Sequence, residues 1–230
     1  MQNSLKAVKN FMGNPHAKSG ISRLNDHLIS FTLMAGFQGN VLPGTAPFDL
    51  VVVAVSAEGI QGLHTLLAGL PGDFPVPVAI VQARDTLVPN FLPHLLNRIT
   101  SLKVKLAREN EVLEPGTVYI APPDLHMSVD PGGFPHLRDG RRLRHVLSPG
   151  TPLFESAARV LKDRVIAVVL TTRDSDIAEG VEAVHDFGGV VITQDQPASD
   201  GIGRVLPLNE IAPALIELVS KKPAPAGSAR

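Results

Sequence analysis

Polar and charged residues that could do chemistry follow three apolar runs of the sequence. They are Ser56-Ala57-Glu58-Gly59 after the first run, Gln82-Ala83-Arg84-Asp85 after the second, and Thr171-Thr172-Arg173-Asp174-Ser175-Asp176 after a later one. Ligands of open α/β sheets bind outside the carboxyl ends of the strands. If the three runs are strands of one parallel sheet, these segments meet at one edge of the sheet and form a candidate site.

Ser56 allows two interpretations. As a structural residue, its side-chain oxygen would cap the helix that follows, a role for which serine is among the preferred residue types. As a functional residue, it would be a nucleophile at a strand-to-helix turn, with the free N–H groups of the helix as an oxyanion hole. The lipase-type Gly-x-Ser-x-Gly motif is absent, so the local sequence alone favours the cap.

The elements that would position these residues alternate regularly from Asp49 onward. Unbroken apolar runs predict strands that are buried on both faces, and stripes of helical spacing predict the helices between them. The predicted elements are strand 50–55, helix 60–70, strand 76–81, helix 91–99, helix 152–163, strand 165–171, helix 176–187, strand 190–193 and helix 208–218. This alternation indicates an α/β fold with a mostly parallel sheet that is covered by helices on both faces.

The middle of the sequence departs from the alternation. Short strand-like pieces at 104–106, 117–121 and 126–129 are separated by Glu114-Pro115-Gly116 and Pro122-Pro123. We interpret residues 102–147 as a short antiparallel excursion at the edge of the main sheet. The predicted organisation is a partly helical or irregular leader over 1–48, one domain over 49–219, and a disordered tail over 220–230.

The composition excludes several classes of protein. The 230 residues include 21 Lys+Arg, 22 Asp+Glu and a single Tyr, with neither Trp nor Cys, and their net charge is -1. This balance argues against a general nucleic-acid binder. The absence of cysteine excludes disulfides, thiolate nucleophiles and Cys-ligated metal sites. Because no apolar stretch reaches the ~20 residues of a membrane span, we expect no membrane insertion. The lack of cysteine fits a reduced, cytoplasmic compartment, which is the localisation we expect.

Four segments, in the same order along the chain, carry a resemblance to a known family. They are Val53-Ala54-Val55-Ser56-Ala57-Glu58-Gly59, the block from Tyr119-Ile120-Ala121-Pro122 to His126-Met127, Phe154-Glu155-Ser156-Ala157-Ala158, and the loop from Leu170-Thr171 to Glu179-Gly180. They are similar to the nucleophile turn, the Tyr-Ile-Ala-Pro block, a helix and the aspartate loop of CheB-type chemotaxis methylesterases. The likeness runs from about Asp49 to Val219.

The resemblance implies a Rossmann-like doubly wound domain that hydrolyses γ-glutamyl methyl esters on receptor helices. It further implies a Ser-His-Asp triad, with no metal and no cofactor. Ser56 matches the nucleophile and Asp176 matches the triad aspartate. The Gln-His turn of the family is Gln82-Ala83 here, so alanine stands at the position of the catalytic histidine.

This replacement decides most of the functional expectation. The histidine of such a triad removes the serine proton and returns it to the leaving group, and loss of the base lowers kcat by on the order of 10⁶. Glu58 further places a carboxylate beside the serine, while Thr172, Asp174 and Ile177 replace glycines of the aspartate loop. We therefore expect a methylesterase homologue whose catalysis is lost or strongly reduced, and which acts by binding or scaffolding.

Two alternatives remain open. The first is an active carboxyl-ester hydrolase that uses Ser56 with a substitute base, His126 or Asp85. His126 lies in the matched Tyr-Ile-Ala-Pro block, but the family keeps that histidine in addition to the catalytic one, which favours a structural role for it. The second is a module that binds a small anionic ligand at the same edge of the sheet. The expected partners are chemoreceptor cytoplasmic helices or another signalling protein.

Overall fold

A computed structural model describes residues 46–82, 91–139, 150–170, 177–194, 196–197, 199 and 201–220. Nearly all of the predicted leader, residues 1–45, and of the predicted tail, residues 221–230, lies outside the described residues. The division into leader, domain and tail therefore stays a prediction. Within the described ranges, no helix is long and apolar enough to cross a membrane.

The described residues form α-helices and strands that alternate through most of the chain. In chain order they are β1 (Leu50–Val55), α1 (Ile60–Ala68), β2 (Val78–Gln82), α2 (Leu92–Leu96), β3 (Lys103–Leu106), β4 (Thr117–Ile120), β5 (Leu125–Val129), β6 (Pro135–Asp139), α3 (Gly150–Leu161), β7 (Val165–Leu170), α4 (Ala178–Asp186), β8 (Val190–Gln194), β9 (Arg204–Leu206) and α5 (Leu208–Ser220). Short 3-10 helices at Ala57–Gly59 and Lys162–Arg164 follow β1 and α3. The predicted strands and helices outside the excursion are thus confirmed, with small shifts of their ends.

Seven strands form the main sheet in the order β3-β4-β2-β1-β7-β8-β9. All of its strand pairs are parallel. After β1 the chain continues to β2 on one side, and it later returns to β7 on the other side of β1. This reversal makes the gap between β1 and β7 the topological switch point of a doubly wound sheet, and it confirms the predicted fold class.

The central strands are buried on both faces because helices cover each face of the sheet. Val51, Val53 and Val55 of β1 pack in a cluster with the apolar residues of α1 and α5. Leu50, Val52 and Ala54 pack in a second cluster with those of α3 and α4. Successive side chains of a strand point to opposite faces, so an unbroken apolar run is what a strand between two helix layers requires.

An ion pair joins the amino-terminal ends of β1 and β7, the two strands that border the switch point. Arg164 donates from Nε to Asp49 Oδ2 at 2.6 Å and from a terminal nitrogen to Asp49 Oδ1 at 2.5 Å. These hydrogen bonds raise the pKa of Arg164 above its ordinary value. The backbone N–H of Asp49 also donates to the Arg164 carbonyl at 2.8 Å. The relative position of the two strands is therefore fixed at the end opposite the candidate site.

The antiparallel part of the fold is smaller than predicted. β3 and β4 pair with each other in parallel and belong to the main sheet, and among the described strands only β5 and β6 form an antiparallel pair. The loop between β3 and β4 contains no helix, which made the two strands resemble a hairpin in the sequence. It is fastened to β4 by Tyr119, whose hydroxyl donates to the Val112 carbonyl at 3.1 Å and accepts from the Glu114 N–H at 2.9 Å.

The β5–β6 hairpin packs against the face of the sheet that carries α3. Met127 and Val129 belong to the cluster of that face. The Val129 N–H also donates to Ser156 Oγ on α3 at 2.9 Å. The hairpin therefore covers sheet surface beside α3, whereas the sequence had suggested an extension of the sheet edge.

Candidate active site

The carboxyl ends of three neighbouring strands lie at one level. Val55, the last residue of β1, is paired in register with Gln82 of β2 and with Leu170 of β7. Adjacent strands lie about 4.8 Å apart. Ser56 continues directly from the middle of these three positions. Ala83 and the 171–176 segment with Asp176 follow the other two in sequence and lie outside the described residues, as do Arg84 and Asp85.

Ser56 leaves β1 in an extended conformation, with φ -72° and ψ 167°, at the start of the 3-10 helix. Its carbonyl accepts a hydrogen bond from the Gly59 N–H at 3.1 Å. The Ser56 side chain makes no capping hydrogen bond. The interpretation of Ser56 as a side-chain cap, which the local sequence favoured, is therefore wrong. The residue lies between the carboxyl end of a central strand and the first turns of a helix, as the nucleophile interpretation requires.

The turn after Ser56 combines favourable and unfavourable electrostatics for an oxyanion. The first turns of a helix present N–H groups without intrahelical partners and the positive end of the helix dipole. Glu58 lies in this same turn, two residues beyond Ser56, and it is exposed. A carboxylate at that position opposes the build-up of negative charge beside Ser56.

The amino terminus of α3 packs very tightly against Ile177 and the end of β1. A Cβ atom at Gly150 would lie 2.3 Å from Cδ1 of Ile177 and 3.1 Å from Cβ of Ala54. Both distances are shorter than an ordinary contact between carbon atoms, about 3.5–4.0 Å. A side chain at this position would force Ile177 to move, and Ile177 packs beside the end of β1.

Ile177 is the described residue next in sequence to Asp176. It is buried, and its backbone has helical angles of φ -85° and ψ -13°, which any residue adopts without strain. The replacement of a family glycine by Ile177 therefore requires no unusual backbone at that residue. Sequence reasoning missed its pairing with Gly150, because the contact joins two segments far apart in the chain.

His126 lies in the β5–β6 hairpin and not at the end of a main-sheet strand. It is the second residue of β5, faces Arg138 across the hairpin and is 8% exposed. The hairpin begins shortly after the carboxyl end of β4, through the turn in which the Leu125 N–H donates to the Pro122 carbonyl. His126 thus belongs to the same edge of the fold as Ser56, but to a different sheet.

Thr193 is a further polar residue near this edge that sequence reasoning missed. It is paired in register with Val169 of β7 and is 1% exposed. Within the described part of the chain, its hydroxyl has no hydrogen-bond partner. In the sequence, Thr193 is a single hydroxyl residue near the end of an apolar strand. Such residues are common at strand ends, so the sequence pattern does not mark Thr193 as special.

The fold and the site define a doubly wound α/β domain with a serine at the end of its central strand. A model of the CheB methylesterase family matches residues 51–215, which is most of the chain. The chain belongs to the CheB methylesterase family, and the resemblance found in the sequence is confirmed.

Individual relatives agree with this assignment. The chain is 36% identical over 183 residues to a protein-glutamate methylesterase/protein-glutamine glutaminase of Caulobacter vibrioides, covering 73% of this chain and 53% of the relative. It is 34% identical over 185 residues to the protein-glutamate methylesterase FrzG of Myxococcus xanthus, covering 75% and 55%. The chain thus spans about half the length of these curated relatives.

A solved structure shows the same fold. The CheB methylesterase catalytic domain of Thermotoga maritima superposes with a TM-score of 0.64 at 32% sequence identity. The match covers 75% of this chain and 99% of that domain. Three quarters of this chain is therefore similar to nearly the full length of an isolated catalytic domain.

Proposed function

We propose that the chain recognises glutamyl side chains of a signalling protein but has lost the hydrolysis of their methyl esters. The observation that carries this proposal is the register between Val55 and Gln82. It brings Gln82, the last described residue of β2, level with Val55, and the next residue in the sequence is alanine. In our proposal Ser56 and Asp176 are the retained members of a triad whose base is missing at Ala83.

The chemistry of ester hydrolysis explains why the missing base matters. Attack of Ser56 Oγ on a γ-glutamyl methyl ester requires a group that takes the hydroxyl proton and then delivers it to the departing methoxide. Alanine can do neither, and Asp176 then has no imidazole to orient. Glu58 adds a negative charge near the oxyanion. The helix N–H groups after Ser56 remain, so the proposal retains binding while it loses turnover.

The proposed partner is a chemoreceptor cytoplasmic helix or another signalling protein, and the proposed compartment is the cytoplasm. Two facts support the proposed partner. The relatives are named protein-glutamate methylesterases, and one of them is also named protein-glutamine glutaminase. Both names describe glutamyl or glutaminyl side chains of proteins as the groups that are acted on.

The test separates binding from turnover. A peptide that carries a γ-glutamyl methyl ester is incubated with the purified chain, and binding is measured by calorimetry while methanol release is followed enzymatically. We expect binding, with methanol release no faster in the wild type than in Ser56→Ala. Methanol release in the wild type that disappears in Ser56→Ala would contradict the proposal.

A second candidate function is active ester hydrolysis with His126 as the base. Two observations favour it: the Ser56 hydroxyl does not serve as a cap, and a buried histidine lies in the hairpin at the same edge of the fold. It predicts that methanol release by the wild type rises with pH as an imidazole loses its proton. His126→Gln should abolish this release. His64→Gln, at a partly exposed position of α1, is the matched control and should leave it unchanged.

A further inference from the structure

The short helix α2 presents an apolar stripe to solvent in addition to its buried face. Leu92 and Leu96 lie in the core beneath the helix. On the opposite side Phe91 is 61% exposed and Leu95 is 57% exposed, the largest exposures among the big apolar residues in the described ranges. Apolar residues on both sides of a helix are typical of a helix that is covered on both sides.

The exposed residues form one continuous helical stripe. The Leu95 N–H donates to the Phe91 carbonyl at 3.0 Å, and the Arg98 N–H donates to the Leu95 carbonyl at 3.2 Å, so the helical winding extends beyond both ends of α2. Phe91, His94, Leu95 and Arg98 have the spacing i, i+3, i+4 and i+7, which places them on one face over about two turns. We call these four residues the α2 stripe.

The α2 stripe and the chain that follows it carry basic side chains. Arg98 lies on the stripe itself, and between Asp85 and Glu109 the sequence contains Arg98, Lys103, Lys105 and Arg108 but no Asp or Glu. Lys105 is paired with Glu111. In the part of the chain that the structure describes, neither the Arg98 guanidinium nor the His94 imidazole has an ion-pair or hydrogen-bond partner. An apolar ridge beside unpaired positive charge is complementary to a helix with apolar and acidic side chains.

We infer that the α2 stripe is a docking surface for an acidic amphipathic helix of a partner protein. The ridge formed by Phe91 and Leu95, about one turn long, packs into the groove of a second helix, as ridges of one helix fill the grooves of another. Arg98 binds a carboxylate at the border of that contact. The two exposed apolar residues supply the affinity, and the basic residues select an acidic partner over a basic one.

The position of the stripe relates it to the candidate site. β2 ends in register with the residue before Ser56, and α2 is the next described element of the chain after β2. A helix docked on the α2 stripe lies on the same side of the sheet as α1, the helix that begins just after Ser56. The docking surface rests on the proposed function in one respect, since the docked helix is taken to belong to the protein whose glutamyl side chains are recognised.

The test uses a fluorescent peptide of about 20 residues, long enough for about five helical turns. Leucine lies on one face of the peptide and glutamate elsewhere, and a matched peptide has lysine in place of every glutamate. Neither peptide carries a methyl ester, so the test does not depend on chemistry at Ser56. Fluorescence anisotropy with the full chain should show binding of the acidic peptide and at least tenfold weaker binding of the basic one.

Variants assign the binding to the stripe. Phe91→Ala and Leu95→Ala should each weaken the acidic peptide about tenfold or more. Arg98→Glu should weaken it similarly and should strengthen binding of the lysine peptide. Val205→Ala and Arg204→Glu, at exposed positions of β9, are the matched controls and should have no effect. Thermal unfolding confirms that each variant is folded.

The outcome that overturns the inference is failure of the acidic peptide to bind, or equal binding to Phe91→Ala, Leu95→Ala and the wild type. Failure of the proposed function would give a different result. A chain that binds the acidic peptide through the α2 stripe but does not bind a γ-glutamyl methyl ester peptide would refute the proposed recognition at Ser56 and leave the docking surface intact. The two ideas are therefore refuted by separate measurements.

Discussion

Replacing Gly150 by alanine should destabilise the protein by about 1–2 kcal/mol. The new Cβ would lie 2.3 Å from Ile177 Cδ1, so those atoms must separate by about 1.2 Å or more to reach an ordinary contact distance. Movement the other way is blocked by Ala54 Cβ at 3.1 Å, in the central strand. Overpacking of this kind costs about 1–3 kcal/mol, and the lower entropy of the unfolded alanine chain offsets about 0.4–1 kcal/mol of that.

The clash with Ile177 can be removed by a second substitution. Ile177→Val lacks Cδ1 and should cost about 0.5–1.5 kcal/mol alone. In Gly150→Ala/Ile177→Val the two changes should compensate, so the double variant should be at least about 1 kcal/mol more stable than the sum of the single effects predicts.

The assay is urea unfolding of the wild type, the two single variants and the double variant, which together form a double-mutant cycle. Melting temperatures of the same proteins support it. Gly150→Ala should melt about 2–8 °C below the wild type. Gly69→Ala is the control, since a Cβ there would lie 2.8 Å from Ala212 Cβ, in the cluster on the other face of the sheet; its effect should add to that of Ile177→Val. Additive effects of Gly150→Ala and Ile177→Val would refute the packing of α3 against the residue that follows Asp176.

Three further predictions concern stability. Tyr119→Phe should cost about 1–2 kcal/mol in urea unfolding, because the two backbone groups bound to its hydroxyl lose their partner; a loss below about 0.5 kcal/mol would contradict this. Thr193→Val should leave the free energy of unfolding unchanged or raise it by about 1 kcal/mol, because it removes a buried hydroxyl without a described partner. A loss above about 1 kcal/mol would show that the hydroxyl is used. Hydrogen bonds from the Leu137 N–H and from His136 lower the pKa of Glu109 from its ordinary value of 4.5. Its stabilisation is therefore present above that value and is lost as pH falls through the lowered pKa. Glu109→Gln should flatten the acid side of the melting-temperature profile, and an unchanged profile would contradict the assignment.

Much of the fold could be predicted because its strongest signals are local. The apolar runs of β1 and β7 are long enough to indicate strands buried on both faces, and the helices between them show clear stripes. The β3–β4 region was harder, because strands of four residues joined by a loop without a helix have the same local pattern as a hairpin. Their parallel pairing depends on contacts with β2 that no local pattern contains.

The candidate site shows the same division between local and tertiary information. Ser56 and the alanine at position 83 are found from motif and order alone. The choice between a capping and a catalytic serine could not be made that way, because both use a serine between a strand and a helix. The structure decides against the cap, since the Ser56 side chain makes no capping bond. The contact between Gly150 and Ile177 is a tertiary contact and was not predictable.

Methanol release by Ala83→His tests the central claim most directly. If the single missing imidazole silences a retained site, Ala83→His should hydrolyse a γ-glutamyl methyl ester at least about 100-fold faster than the wild type. The gain should vanish in Ala83→His/Ser56→Ala, and the control Ala83→Asn, whose amide cannot act as a base, should remain inactive. If Ala83→His is as inactive as the wild type while the folded protein binds the ester peptide, the claim that the site lacks only a base at position 83 is wrong.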